Sequence, residues 1–111
     1  MTTLKALVFR GDSKRRFLEF PEEVKDIAGY ELFLLQNGRE PSDFKPMPSI
    51  GPGVEELRVR DSRSAALRVI YIARLAGAVY VLHAFQKQTQ KTAIKDLDLA
   101  RQRLRDLMKE Q

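Results

Sequence analysis

Residues 54–86 read VEELRVRDSRSAALRVIYIARLAGAVYVLHAFQ, from Val54 to Gln86, and they decide the fold. Val54 to Arg60 alternates, with Leu57 and Val59 on one side and Glu56, Arg58 and Arg60 on the other. That is the period of a half-buried strand. Asp61-Ser-Arg-Ser64 turns the chain. Ala65 to Leu75 carries Leu67, Val69, Ile70, Tyr71 and Ile72 in an almost unbroken apolar run, which predicts a strand buried on both faces. Ala76-Gly77 makes a tight turn into Ala78 to Gln86, again rich in β-branched and aromatic residues. Connections this short make the three strands antiparallel neighbours.

Upstream, the segment from Arg39 to Gly53 holds four of the five prolines, Pro41, Pro46, Pro48 and Pro52. Proline lacks the amide hydrogen that helix and strand ladders use, so the segment reads as a loop. Gly51-Pro52-Gly53 closes it, without the spacing or the following helix of a phosphate-cradling glycine loop. Before it, Val24, Ile27, Ala28, Leu34 and Leu35 recur at helical spacing. Pro21 and Glu22-Glu23 suit the start of that helix and Gly38 its end. Asp12 or Ser13 can cap a shorter helix from Lys14 to Phe20, so the two form an antiparallel hairpin. Ala6 to Phe9 reads as a short strand. Downstream, Ala93 to Lys109 sets Ile94, Leu97, Ala100, Leu104, Leu107 and Met108 along one side of a helix. The order is β-α-α-β-β-β-α. It predicts one α+β domain over residues 1–111, with a small, mostly antiparallel sheet, an N-terminal helical hairpin and a C-terminal helix.

Composition narrows the chemistry. The 111 residues contain no Cys, which removes disulfides, thiolate metal sites and a cysteine nucleophile. One His excludes a multi-histidine metal centre, so no metal or cofactor is expected. The net charge of +5 is unevenly placed. Residues 1–50 carry 8 basic and 8 acidic side chains, and residues 51–111 carry 12 and 7. An excess confined to one half suggests a polyanionic partner, with ordinary solubilising charge as the alternative. The N-terminus meets charge too soon for a signal peptide, and the apolar stretch from Gly77 to Phe85 is far short of the roughly 20 residues of a membrane helix. A soluble cytoplasmic protein, with no membrane partner, is the expectation.

Four arginines, Arg58, Arg60, Arg68 and Arg74, form the first candidate set. Arg68 interrupts an apolar strand, and strand alternation lets it share a face with Arg58. Two converging guanidiniums would hold a phosphate and stabilise charge developing on it. The alternative is a structural ion pair between Arg68 and Glu55, Glu56 or Asp61. His83-Ala-Phe-Gln-Lys87-Gln-Thr-Gln-Lys91-Thr92 forms the second set. Lys87 and Lys91 can meet phosphates, while Gln86 and Thr89 can reach sugars or base edges. His83 is the acid/base suspect by its ordinary pKa, with a hydrogen-bonded structural role as the alternative. Glu55 and Glu56 point to opposite faces and cannot share a site; Asp96 and Asp98, beside Lys95, read as solvated helix charge.

Taken together, Gly53-Val-Glu-Glu-Leu-Arg58, Leu67-Arg-Val-Ile-Tyr71, the segment from Tyr80 to Thr92, and Ala100 resemble the RelE/HigB superfamily of type II toxin–antitoxin toxins. More narrowly they are similar to its phage-derived HigB-like branch. The resemblance spans nearly the whole chain and implies a RelE-like fold. It implies a ribosome-dependent mRNA endoribonuclease, or mRNA interferase, in which a ribose 2′-hydroxyl attacks the adjacent phosphate without a metal. It also implies a cognate helix-turn-helix antitoxin as partner. By resemblance Arg58 and Arg68 contact the scissile phosphate and Lys87 is a further charge stabiliser; the general base varies across the superfamily, leaving His83 a candidate only. Two positions depart from the pattern: Gln88, where a second lysine often follows Lys87, and Ala93, where proline is frequent. A non-catalytic member of the same fold that binds RNA or its antitoxin is the alternative reading.

Overall fold

The computed structural model describes residues 4–62, 66–75, 77–87 and 92–111. Its strands are β1 (Ala6–Phe9), β2 (Phe44–Pro46), β3 (Val54–Arg60), β4 (Ala66–Ile72) and β5 (Ala78–Gln86), and its helices are α1 (Ser13–Leu18), α2 (Glu22–Gln36) and α3 (Ile94–Lys109). The strands form one sheet in the order β1-β5-β4-β3-β2. The meander β3-β4-β5 is antiparallel, as its short turns require. Beyond Ala66 every residue of β4 is buried, in keeping with a strand covered on both faces. The turn residues Arg63, Ser64 and Ala76, and Ala65 at the start of the expected strand, lie outside the described residues.

Two features differ from the order read in the sequence. The proline-rich segment contains a strand, β2, which pairs antiparallel with β3 at the sheet edge. Met47 donates its N–H to Val54 O at 2.8 Å and Arg58 donates to Asp43 O at 3.0 Å. By strand alternation the nitrogen of Pro46 therefore faces away from β3, where its missing hydrogen costs nothing. The second difference is β1, which runs parallel to β5, Ala6 opposite Ala78, making the sheet mixed.

Each face of the sheet has its own core. On the first, Phe17, Val24, Ala28 and Leu32 from α1 and α2 pack over Leu57, Val69, Tyr71 and Val81. On the second, Ala100 and Leu107 of α3, with Met47 and Ile50, pack over Val54, Ile70, Ile72 and Leu82. The helix ends follow local chemistry. Gly38, at φ 75°, lets Arg39 N–H reach Leu34 O and its own N–H reach Leu35 O, the double bond that closes a helix on a left-handed residue. Asp12 precedes α1 but makes no capping bond; its carboxylate pairs with Arg15, Arg16 and Arg103 instead. Gly11, at φ 57°, leaves the room that the Arg103 guanidinium occupies, and a Cβ there would collide with it. Arg103 also donates to Leu82 O at 2.9 Å, Arg10 pairs with Glu110, and Arg101 donates to Ser49 O at 3.0 Å. These bonds hold α3 along its length.

The pairing of β4 with β5 shifts register between Ile70 and Tyr71. Val81 faces the first core and Leu82 the second, and His83 also turns to the second face, where it meets α3. Leu82 is thus the extra residue of a bulge. No helix among the described residues is long and apolar enough to cross a membrane.

Candidate functional site

Arg58 lies directly opposite Arg68 in the β3–β4 ladder, so the two guanidiniums share the second face. Glu56 and Arg60 point the same way by alternation, and Lys45 of β2 stands opposite Glu56. Like charges paired across strands are unfavourable, and Glu56 is what offsets them. Its Oε1 lies 3.5 Å from Arg68 Nε, within ion-pair reach but outside hydrogen-bond geometry, and its Oε2 accepts a 3.0 Å bond from Thr92 Oγ1. Arg68 Nη1 donates to Leu67 O at 3.1 Å. Both members of the pair are 2% exposed. Of the three carboxylates the sequence offered to Arg68, Glu56 is the partner. Glu55 sits on the opposite face and accepts a 2.9 Å bond from the Tyr71 hydroxyl.

The helix α3 packs over the part of this face around Ile70 and Ile72; at the other end Arg68 and Glu56 are enclosed, Arg58 is half-buried and Arg60 is exposed. Around the buried pair, Lys45, Arg58, Arg60 and Lys87 make no side-chain hydrogen bond or ion pair among the described residues. Burial pulls the Arg68 pKa down; Glu56 works against that, and Arg58 and Arg60 add to it. Lys87 is likewise held below the ordinary lysine value, first by burial and then by Arg68, with Arg58 and Lys45 adding to the effect. The face therefore carries several cations and one enclosed carboxylate. A phosphodiester supplies the negative charge such a cluster lacks.

A family model described as phage derived protein Gp49-like (DUF891) matches residues 15–105, from within α1 through most of α3. The chain belongs to this family. Gp49-like proteins are toxin-like, and the matched span includes all of the basic face from Lys45 to Lys87. No curated protein matches the chain.

His83 lies on the same face of the Gp49-like chain but is enclosed where β5 meets α3. It is 0% exposed, stacked on Phe85 with ring centroids 5.0 Å apart, and its Nε2 lies 2.8 Å from Asp96 Oδ1. Its Nδ1 has no hydrogen-bond partner among the described residues. A neutral ring donating from Nε2 leaves only an acceptor unsatisfied, whereas protonation would bury an unpaired N–H. Burial accordingly lowers the His83 pKa, and Arg103 and Arg16 add to this against the pull of Asp96. The enclosed ring pins α3 to β5. Asp96 corrects the expectation of a solvated helix carboxylate, because it is bonded inward. A histidine whose pKa is lowered on folding binds its proton more readily in the unfolded chain, so stability is full above about pH 6.5 and falls as pH drops below it. We expect the thermal midpoint to fall between pH 7.5 and pH 5.5, and His83→Gln, which keeps a donor for Asp96, to reduce that fall. An unchanged pH slope in the variant would count against the assignment.

Of the residues singled out in the sequence, Arg58, Arg60, Arg68 and Lys87 come together. Gln86 sits opposite Leu67 at the strand edge and does not join them. Thr89 and Lys91 lie outside the described residues. Sequence reasoning missed Lys45, hidden among prolines, although a proline whose nitrogen faces outward is compatible with an edge strand. It also missed the bonds of Thr92 and Asp96, which depend on where α3 begins.

Proposed function

We propose that this Gp49-like chain is the toxin of a type II toxin–antitoxin pair, with a RelE-like fold and of the phage-derived HigB-like branch. It cleaves mRNA on the ribosome, in the cytoplasm, and a helix-turn-helix antitoxin neutralises it. The observation that carries this reading is the direct cross-strand pairing of Arg58 with Arg68, with Lys87 and Lys45 beside them on the same face of the sheet. In the reaction the ribose 2′ oxygen passes its proton to solvent water and bonds to the adjacent phosphorus, while the bond to the 5′ oxygen breaks and that oxygen gains a proton. The products are a 2′,3′-cyclic phosphate and a 5′-hydroxyl. Negative charge grows on the phosphoryl oxygens on the way, and preorganised cations stabilise it. Arg58 and Arg68 suit that role. Lys87, more acidic than an ordinary lysine, suits the donation of a proton to the leaving oxygen.

Primer extension on cellular mRNA after induced expression tests the proposal. Discrete new 5′ ends within minutes of induction are the expected result, and intact message overturns it. The enclosure of both Arg68 and His83 favours a second reading, a member that binds RNA or its antitoxin without cutting. Intact message together with retained RNA binding is its signature.

A further inference from the structure

Beside β5 lies a cavity of about 390 Å³, within the ~300–1,000 Å³ of small-ligand pockets. The pairing of β5 with β1 ends at Val81, so the later part of β5 has a neighbouring strand on one side only. The cavity occupies the other side, between the end of α1 and the start of α3. Five charged side chains line it, and three are already committed. Arg16 donates to Asp12 at 2.9 Å, Glu19 accepts from Arg15 at 3.0 Å, and Asp96 is bonded to His83 at 2.8 Å. The ammonium groups of Lys87 and Lys95 make no hydrogen bond or ion pair among the described residues. Two uncommitted cations in one recess call for an anion.

Lys87 belongs both to this recess and to the field of Arg58 and Arg68, so the cavity adjoins the basic face. Lys87 N–H bonds Ala66 O of β4 at 2.7 Å. By alternation the main-chain N–H and C=O of Gln86 turn the other way, toward the cavity that this residue helps to line. A donor and an acceptor side by side match the edge of a nucleobase. We propose that the cavity seats the nucleotide next to the cleaved bond, with its phosphate between Lys87 and Lys95 and its base edge against Gln86. This rests on reading the basic face as the site that holds the scissile phosphate.

The test is fluorescence anisotropy with a labelled five-residue 2′-O-methyl RNA, which lacks the attacking hydroxyl and stays intact. Lys95→Ala is expected to weaken binding about fivefold, the size of one exposed charge contact. It should also lower the slope of log affinity against log salt by about 0.7, one phosphate contact on a single strand. Lys95→Arg should restore both, and Lys109→Ala, an equal loss of charge at the far end of α3, should change the slope little. Unchanged affinity and slope in Lys95→Ala, with binding still dependent on Arg58, overturn the cavity assignment and leave the basic face standing. If the wild-type chain fails to bind the probe, or Arg58→Ala binds it equally well, both fall together.

Discussion

Arg68→Met is expected to lower message cleavage by about 10²-fold or more, the usual loss when one preorganised donor to developing charge is removed. The same change strands the Glu56 carboxylate, 2% exposed, with Thr92 as its one remaining donor among the described residues. Breaking a buried ion pair from one side costs about 3–5 kcal/mol, so the single variant can fail by unfolding alone. Glu56→Gln combined with Arg68→Met separates the two effects. The double variant removes both charges, keeps an amide oxygen for Thr92, and should recover most of the lost stability in thermal denaturation. Cleavage, read by primer extension at equal protein level, should stay as low as in the single variant. If cleavage returns with stability, Arg68 only braces the sheet and its place in the chemistry is wrong.

Leu57→Ala makes the complementary case. Leu57 is 0% exposed and sits between Glu56 and Arg58 in sequence, yet on the opposite face, against the core beneath α2. Truncating a buried leucine costs about 2–5 kcal/mol. For a domain of this size that lowers the thermal midpoint by roughly 10 °C or more. The charged neighbours are untouched, so cleavage per folded molecule should be preserved at a temperature well below the new midpoint. A normal midpoint would contradict the packing described for β3, and lost cleavage in folded protein would mean that the two faces are coupled. The glutamate and arginine of Glu56-Leu57-Arg58 thus serve the basic face, and the leucine serves the core.

The sequence shows most clearly what depends on near neighbours. Val54–Arg60 and Ala78–Gln86 are bounded as their alternation and composition require, and the shared face of Arg58 and Arg68 follows from period two plus a short turn. What stays hidden depends on partners far along the chain. The parallel docking of β1 joins Ala6 to Ala78, and no local pattern in Ala6–Phe9 names that partner. Proline content hides β2 because the cost of a missing N–H depends on which way the nitrogen points. His83 reads as an acid/base candidate until the path of α3 brings Asp96 against it. Charge is legible in sequence; its enclosure is not, because burial is set by the element that covers it.

The bulge at Leu82 has a consequence for Lys87. In a regular strand side chains take turns, and odd-numbered residues of β5 such as Val79 and Val81 face the first core. One uncounted residue exchanges odd for even, so that Phe85 and Lys87 emerge on the arginine side. The orientation of Lys87 is therefore set by a parity change five residues earlier, at a leucine buried in the second core.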